Sequence, residues 1–324
     1  MMEIRAWFTP SRAMRDRLYL TGLLVGAGIL LYVGRGLLGK SELVAWGLTF
    51  GGTSAVAVLG MTLYRVQHEL RASRRELARK EAELSFALQV QQALFPQRFP
   101  VHKGLEFCAV CVPARGVSGD YYDVISLPDG RLAFAIADVS GKGISAAILM
   151  STVHAVLRTL ASSGRAPDFL LADLNRHLLQ VSGDSRFTTV FYAEWNPATR
   201  RLRFVNAGHL PPLLIGGRER LRLVASGPPL GVLEDVTHVV GEVELSPGDL
   251  LALYSDGVTE AGVTNGSEFG EERLASLLIA NASRPLNEIQ HTVVGAVRDW
   301  SGDELEDDLT LVLVRATGST EEAL

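Results

Sequence analysis

The residues best placed to do chemistry are aspartates that end or begin apolar runs. Leu132–Ala137 is continuously apolar and delivers Asp138 into the loop Val139-Ser140-Gly141-Lys142-Gly143. Leu250–Tyr254 leads through Ser255 to Asp256-Gly257, and Glu306-Asp307-Asp308 opens the largely apolar run Leu309–Val314. Gly119-Asp120-Tyr121-Tyr122-Asp123 adds a fourth acidic group beside a glycine. A buried carboxylate without a partner is costly. Four such groups with few Lys or Arg beside them point to hard divalent cations, and oxygen-only ligands fit Mg²⁺ or Mn²⁺ rather than zinc. Taken singly, each Asp-Gly reads as a turn. The joint pattern makes the site.

Other motifs carry less. Cys108 and Cys111 form a C-x-x-C inside an alternating run, with no second cysteine pair for zinc, so they read as strand residues. Gly34-Arg35-Gly36-Leu37-Leu38-Gly39-Lys40-Ser41 matches the Walker A letters. It lacks the strand before it and the helix start after it that let such a loop cradle phosphates. His68-Glu69-Leu70-Arg71 resembles the phosphoacceptor box of sensor histidine kinases, but no downstream ATP-binding glycine motif accompanies it. Residues 94–324 carry a net charge of −10, which argues against general nucleic-acid binding.

The elements that must position the aspartates follow from periodicity. Strands are expected at Leu105–Val112, Tyr121–Ser126, Leu132–Ala137, Thr188–Glu194, Leu202–Asn206, Pro212–Ile215, Val239–Leu245, Leu250–Tyr254 and Thr310–Val314. Helices are expected at Ile144–Ser163, Pro167–Val181, Glu271–Ala280 and Leu286–Trp300. Several consecutive strands without helices between them argue against a doubly wound sheet. They favour an α+β fold in which sheets pack on each other with helices outside.

The N-terminal part is of another kind. Leu18–Val33 is almost continuously apolar, and Leu43–Tyr64 is free of formal charge. Each is long enough to read as a membrane span, although the first is short. Arginines flank the pair on both outer sides, which predicts cytoplasmic termini. Leu63, Leu70, Leu77 and Leu84 recur every seven residues, broken by Ser73 and Lys80 at intervening positions. Two readings of this connector stand: a solvated spacer helix, or a parallel coiled coil forming a homodimer. Pro96 and Pro100 end it. The expected organisation is a membrane anchor over 1–64, a connector over 65–95, a catalytic domain over 96–316 and a flexible tail over 317–324.

Seven motifs then resemble, in order, bacterial phosphatases of the sporulation-protein-IIE type, which belong to the PP2C-like metal-dependent serine/threonine phosphatases. They are Val117-Ser118-Gly119-Asp120-Tyr121-Tyr122-Asp123, Ala137–Gly143, Phe187-Thr188-Thr189, Asn206-Ala207-Gly208-His209, Gly227–Gly231, Tyr254–Glu260 and Asp307-Asp308-Leu309-Thr310. The resemblance covers about residues 90–316. It implies an αββα sandwich holding two Mn²⁺ or Mg²⁺ ions. Asp138 would bridge them, the Val139 carbonyl would hold one, and Asp256 with Asp307 the other. Asp120 would reach metal directly or through water. Asp308 competes with Asp307, since only one of two adjacent strand residues points inward. Arg115 stands where relatives keep a phosphate-binding arginine, and an exposed strand-end arginine is the other reading. The implied chemistry is attack of metal-activated water on phosphorus.

The resemblance has departures. Ser140 replaces the histidine that animal-type relatives use as leaving-group acid, and Ser118 replaces a glycine. His209 reads as a structural turn or a catalytic group. The implied substrate is a phosphorylated regulatory protein such as an anti-sigma-factor antagonist, met at the inner (cytoplasmic) membrane of a bacterium with the catalytic domain in the cytoplasm. A phosphatase-like binding module without activity, or a histidine kinase using His68, are the competing readings.

Overall fold

The computed structural model describes residues 21–22, 25–29, 32–34, 42–100, 104–181, 186–216, 219–263, 266–302 and 305–318. The first expected span, the Walker-like loop and the end of the tail fall largely or wholly outside them. The chain divides into two units, Met1–Ala82 and Glu83–Leu324.

Helix α1 (Glu42–Gln92) makes up most of what is described in the first unit. Leu43–Tyr64 lies within it, with Trp46, Phe50, Val58, Leu59, Met61 and Leu63 exposed. One described helix, Ile144–Ala161, is long and apolar enough to cross a membrane by length and composition alone. Its apolar side chains have another use. Ala146, Leu149, Met150, Val153, Leu157 and Ala161 are buried in the core of the second unit.

The second unit is built on two five-stranded sheets. One has the order β1 (Leu105–Val112), β10 (Leu309–Ala316), β9 (Leu250–Tyr254), β6 (Leu213–Gly216), β7 (Glu219–Arg222). The other has the order β2 (Asp120–Ser126), β3 (Leu132–Val139), β4 (Thr188–Asn196), β5 (Arg201–Ala207), β8 (Gly241–Glu244). All the pairings are antiparallel. Helices α2 (Ile144–Ala161) and α3 (Pro167–Val181) cover the outer face of the second sheet. Helices α5 (Glu271–Asn281) and α6 (Leu286–Ser301) cover that of the first, and a single turn, α4 (Asp256–Thr259), follows β9. This is the expected αββα sandwich.

Strand alternation explains the layering. In β3, Leu132, Phe134 and Ile136 join the core between the sheets, with Tyr122, Phe191, Leu253 and Val312. Ala133, Ala135 and Ala137 face the helices, where their small side chains leave room for Met150 and Val153 of α2. Cys108 packs on the helix side of β1 and Cys111 on the inter-sheet side, both as free thiols. Strand β7 was not expected. Glu219-Arg220-Leu221-Arg222 has one apolar residue and pairs only with β6 at the sheet's edge, so no burial pattern marks it.

Candidate active site

The same alternation decides where Asp138, Asp120 and Asp123 point. Asp138 continues the parity of Leu132, Phe134 and Ile136, so it lies on the inter-sheet side at the end of β3. Asp120 shares the parity of Tyr122 and Val124 and sits directly opposite Asp138 in the β2–β3 register. Asp123 has the other parity and faces the helices. There it accepts from Arg158 Nε at 2.6 Å and Nη2 at 2.8 Å, and from the Tyr121 hydroxyl at 2.9 Å. One motif therefore supplies both a site carboxylate and a carboxylate that ties α2 to β2.

The other two acids come from the facing sheet. Asp256 opens α4 just past β9, and Asp307-Asp308 precede β10. Ser255 joins these ends: its Oγ donates to the Asp308 carbonyl at 2.9 Å and accepts from Thr310 N–H at 2.9 Å. Two glycines allow close approach. A Cβ on Gly119 would stand 3.0 Å from the Val139 carbonyl oxygen and 3.7 Å from Asp138 Oδ1, so both oxygens face the same spot. A Cβ on Gly257 would overlap the backbone oxygens of Asp307 and Asp308.

Electrostatics mark these groups as a set. Burial, then the charge of Asp256, pushes the Asp138 carboxyl up to about 7. Burial, then the charge of Asp307, pushes Asp256 up to about 6. Asp120 is raised well above the usual carboxylate range by burial and by Asp138. Its Oδ2 is buried with no hydrogen-bond partner among the described residues. An orphaned buried oxygen among mutually repelling carboxylates and a carbonyl is a donor set that fits a hard cation. Among the described residues no three His, Cys, Asp or Glu side chains stand close enough to enclose an ion as they lie. Asp307 Oδ2 is paired with Lys142 Nζ at 2.6 Å.

Asp307 and Asp308 have different surroundings. Both Asp308 oxygens accept backbone N–H groups of the β1–β2 loop, Ala114 and Gly119, each at 2.8 Å. Asp307 faces Lys142 and adds to the charge on Asp138 and Asp256. Arg115 lies exposed on the loop that Asp308 anchors. Ser140 Oγ accepts from Phe187 N–H at 2.8 Å, so its hydroxyl is engaged with backbone. His209 is buried, its Nδ1 at 2.8 Å from Thr189 Oγ1. Burial pushes its imidazole down to about 4, against a hydrogen bond with the Tyr254 backbone, so it is neutral. Thr189 is the cross-strand neighbour of Asp138, which puts His209 one layer behind the carboxylates.

Two residues near the site went unrecognised in the sequence. Gln91, at the end of α1, donates to the Ser118 carbonyl at 2.6 Å and accepts Ser118 N–H at 2.9 Å, clamping the loop ahead of Asp120. Lys142 is the second. Its one sequence signal is its place between two glycines after Asp138.

The raised carboxyls fix the sign of a pH effect. Their folded pKa values lie above the unfolded value of about 3.9, so between about pH 4 and 7 the native state holds protons that the unfolded chain has released. These two carboxyls are therefore expected to lower the stability of the full chain in chelator as pH rises through that window, on the order of 3 kcal/mol, while His209, held at about 4 against an unfolded value of about 6.5, adds stability between those two pH values. Saturating Mg²⁺ flattens the slope, since the cation replaces the protons. Thermal melts from pH 4 to 8 on the unmodified chain and on Asp138→Asn, which keeps the His209 contribution and removes that of Asp138, check it; a difference between the two proteins that does not change with pH in chelator contradicts it.

Comparison with known proteins fits this geometry. The family model of stage II sporulation protein E (SpoIIE) matches residues 128–317. The phosphoserine phosphatase RsbU of Bacillus subtilis (strain 168) is 32% identical over 254 residues, 78% of this chain and 74% of RsbU. A crystal structure of the RsbU and RsbW domains of Rv1364c from Mycobacterium tuberculosis superposes with a TM-score of 0.60 at 26% identity, over 68% of this chain and 62% of that one. The SiaA-PP2C domain of Pseudomonas aeruginosa shares the fold with a TM-score of 0.66 at 23% identity, over 75% of this chain and 98% of that one.

Proposed function

The chain belongs to the SpoIIE family of PP2C-type serine/threonine phosphatases, and on that premise we propose that it is a membrane-tethered, metal-dependent phosphatase of a phosphorylated regulatory protein. The observation that carries the reading is the opposed Asp120–Asp138 pair, electrostatically linked to Asp256 and Asp307 from the facing sheet. Asp120, Asp138, Asp256, Asp307 and the Val139 carbonyl would hold two Mn²⁺ or Mg²⁺ ions. When bound, such ions supply the Lewis acidity that makes water nucleophilic at neutral pH.

The chain's own residues do the rest. Gly119 and Gly257 keep backbone close enough for the carboxylates to converge. Arg115, exposed on its loop, presents a guanidinium suited to a bidentate phosphate contact. His209, neutral and one layer behind the carboxylates, is not poised to donate a proton to the leaving oxygen. RsbU is named a phosphoserine phosphatase. By that likeness the substrate is phosphoserine or phosphothreonine on an anti-sigma-factor antagonist or a similar small protein.

The anchor rests on exposed Trp46, Phe50, Val58, Leu59, Met61 and Leu63 of α1 and on the arginines that flank the apolar run. On this reading the positive-inside bias of the arginines puts the catalytic unit on the cytoplasmic side of a bacterial inner membrane. Leu63, Leu70 and Leu77 are exposed along α1 and form a seam for a homodimer. The test is hydrolysis of a phosphoserine peptide by the full chain in detergent. Phosphate release is expected with Mn²⁺ or Mg²⁺ and background release in excess chelator. Undiminished release in chelator overturns the metal-dependent reading.

A further inference from the structure

Lys142 and a divalent cation address the same oxygen. Asp307 Oδ1 already accepts the N–H of Asp308 at 2.9 Å, which leaves Oδ2 as the oxygen with no backbone partner and the more open one to a cation. Lys142 Nζ is 2.6 Å from that Oδ2 and also donates to the Glu306 carbonyl at 3.3 Å. A metal ion reaching Asp307 must share or displace the ammonium. The loop is made for displacement. Gly141 and Gly143 flank the lysine at φ 104° and 74°, conformations that favour glycine, and nothing lies within 4 Å of a Cβ built on either. The pair is half open to solvent, with side-chain exposures of 49% and 37%, so it is screened by water and separating it costs little.

We propose that Lys142 is a displaceable counter-ion: it holds Asp307 until a divalent cation takes that oxygen, and the freed ammonium then binds the phosphate of the substrate. The proposal rests on the two-metal phosphatase reading and adds a residue and a sequence of events to it. Charge sets the order. The ions that take Asp307 would also neutralise Asp138 and Asp256, the other carboxylates Lys142 acts on, so a phosphate drawn to the ions becomes the anion for the released ammonium. Metal loading and phosphate recognition thereby become linked through one side chain, and the site presents its second phosphate-binding cation only once it is loaded.

The test measures binding in the full chain and requires two opposite shifts. In calorimetric titration with Mn²⁺, Lys142→Gln is expected to bind the ion about three- to tenfold more tightly than the unmodified chain, the range set by losing a half-exposed competing charge. In titration of the Mg²⁺-loaded protein with inorganic phosphate, the same variant is expected to bind about tenfold more weakly. Lys142→Arg keeps the charge and should stay closer to the unmodified chain in both. A lysine with only a structural role would move both affinities the same way or neither. Equal or weaker Mn²⁺ binding by Lys142→Gln, or unchanged phosphate binding, overturns the proposal. An unmodified chain that takes up no Mn²⁺ overturns the two-metal reading itself, and the lysine's role with it.

Discussion

Asp138→Asn is expected to lower turnover of a phosphoserine peptide by about a thousandfold or more at saturating Mn²⁺, while leaving the chain folded. The residue combines three things that no other has. It ends β3 on the inter-sheet parity, it opposes Asp120 across the β2–β3 pair, and it shares a spot with the Val139 carbonyl oxygen. The amide keeps the shape and removes the charge. Because Asp138 is held up to about 7 by burial and by its acidic neighbours, removing that charge relieves repulsion. The variant should therefore melt at the same or a higher temperature in chelator, and Mn²⁺ should raise its melting point far less than it raises that of the unmodified chain. Lost activity with undiminished stability separates a site residue from a structural one. Asp123→Asn is the control, since that carboxylate is bound by Arg158 and Tyr121 on the helix side and should lose stability first. More than a tenth of normal turnover in Asp138→Asn contradicts the assignment.

The reach and the limits of the sequence both follow from what kind of pattern each feature leaves. Strands with one face on each core announce themselves by alternation, so β1 and β9 fall where periodicity puts them and β3 runs only two residues further. That extension contains Asp138 and Val139, which places them on a strand end rather than in a loop. The single turn α4 was hidden because Ser255-Asp256-Gly257 reads as a turn. Aspartates at strand ends were legible because burial makes an isolated carboxylate expensive. Their partners were not. Lys142 meets Asp307 and Gln91 meets Ser118 across long stretches of chain, and nothing local in the sequence selects either pair. The start of the catalytic unit shows the same limit. Prolines mark the helix end near residue 96, but the compact unit begins at Glu83. Leu84 lies against Gly116 and Gln91 clamps Ser118, so the last turns of α1 pack with the domain they precede.

Asp307 and Asp308 are adjacent, identical in chemistry and open to either role from sequence, and the two should part sharply on substitution. Asp307→Asn is expected to weaken Mn²⁺ binding by about ten- to a hundredfold with little cost in stability, because it removes a site carboxylate whose charge weighs on Asp138 and Asp256. Asp308→Ala should do the reverse. Its two oxygens are engaged by the N–H groups of Ala114 and Gly119, and truncation leaves both donors short of a partner. At about 1–3 kcal/mol for each unsatisfied buried donor, the loss in denaturant stability should come to about 3 kcal/mol, the loop being only part-buried. Mn²⁺ affinity should hold within about threefold, since Asp308 points its oxygens at backbone. The loop so loosened carries Arg115 and leads into Asp120, so KM for the phosphopeptide is expected to rise even where metal binding is intact. Calorimetry with Mn²⁺ and urea titration on the same two proteins decide the matter. If Asp308→Ala loses the metal and Asp307→Asn loses the fold, the two roles are reversed, and Asp308, which has the inter-sheet parity of Val312 and Val314, is the ligand.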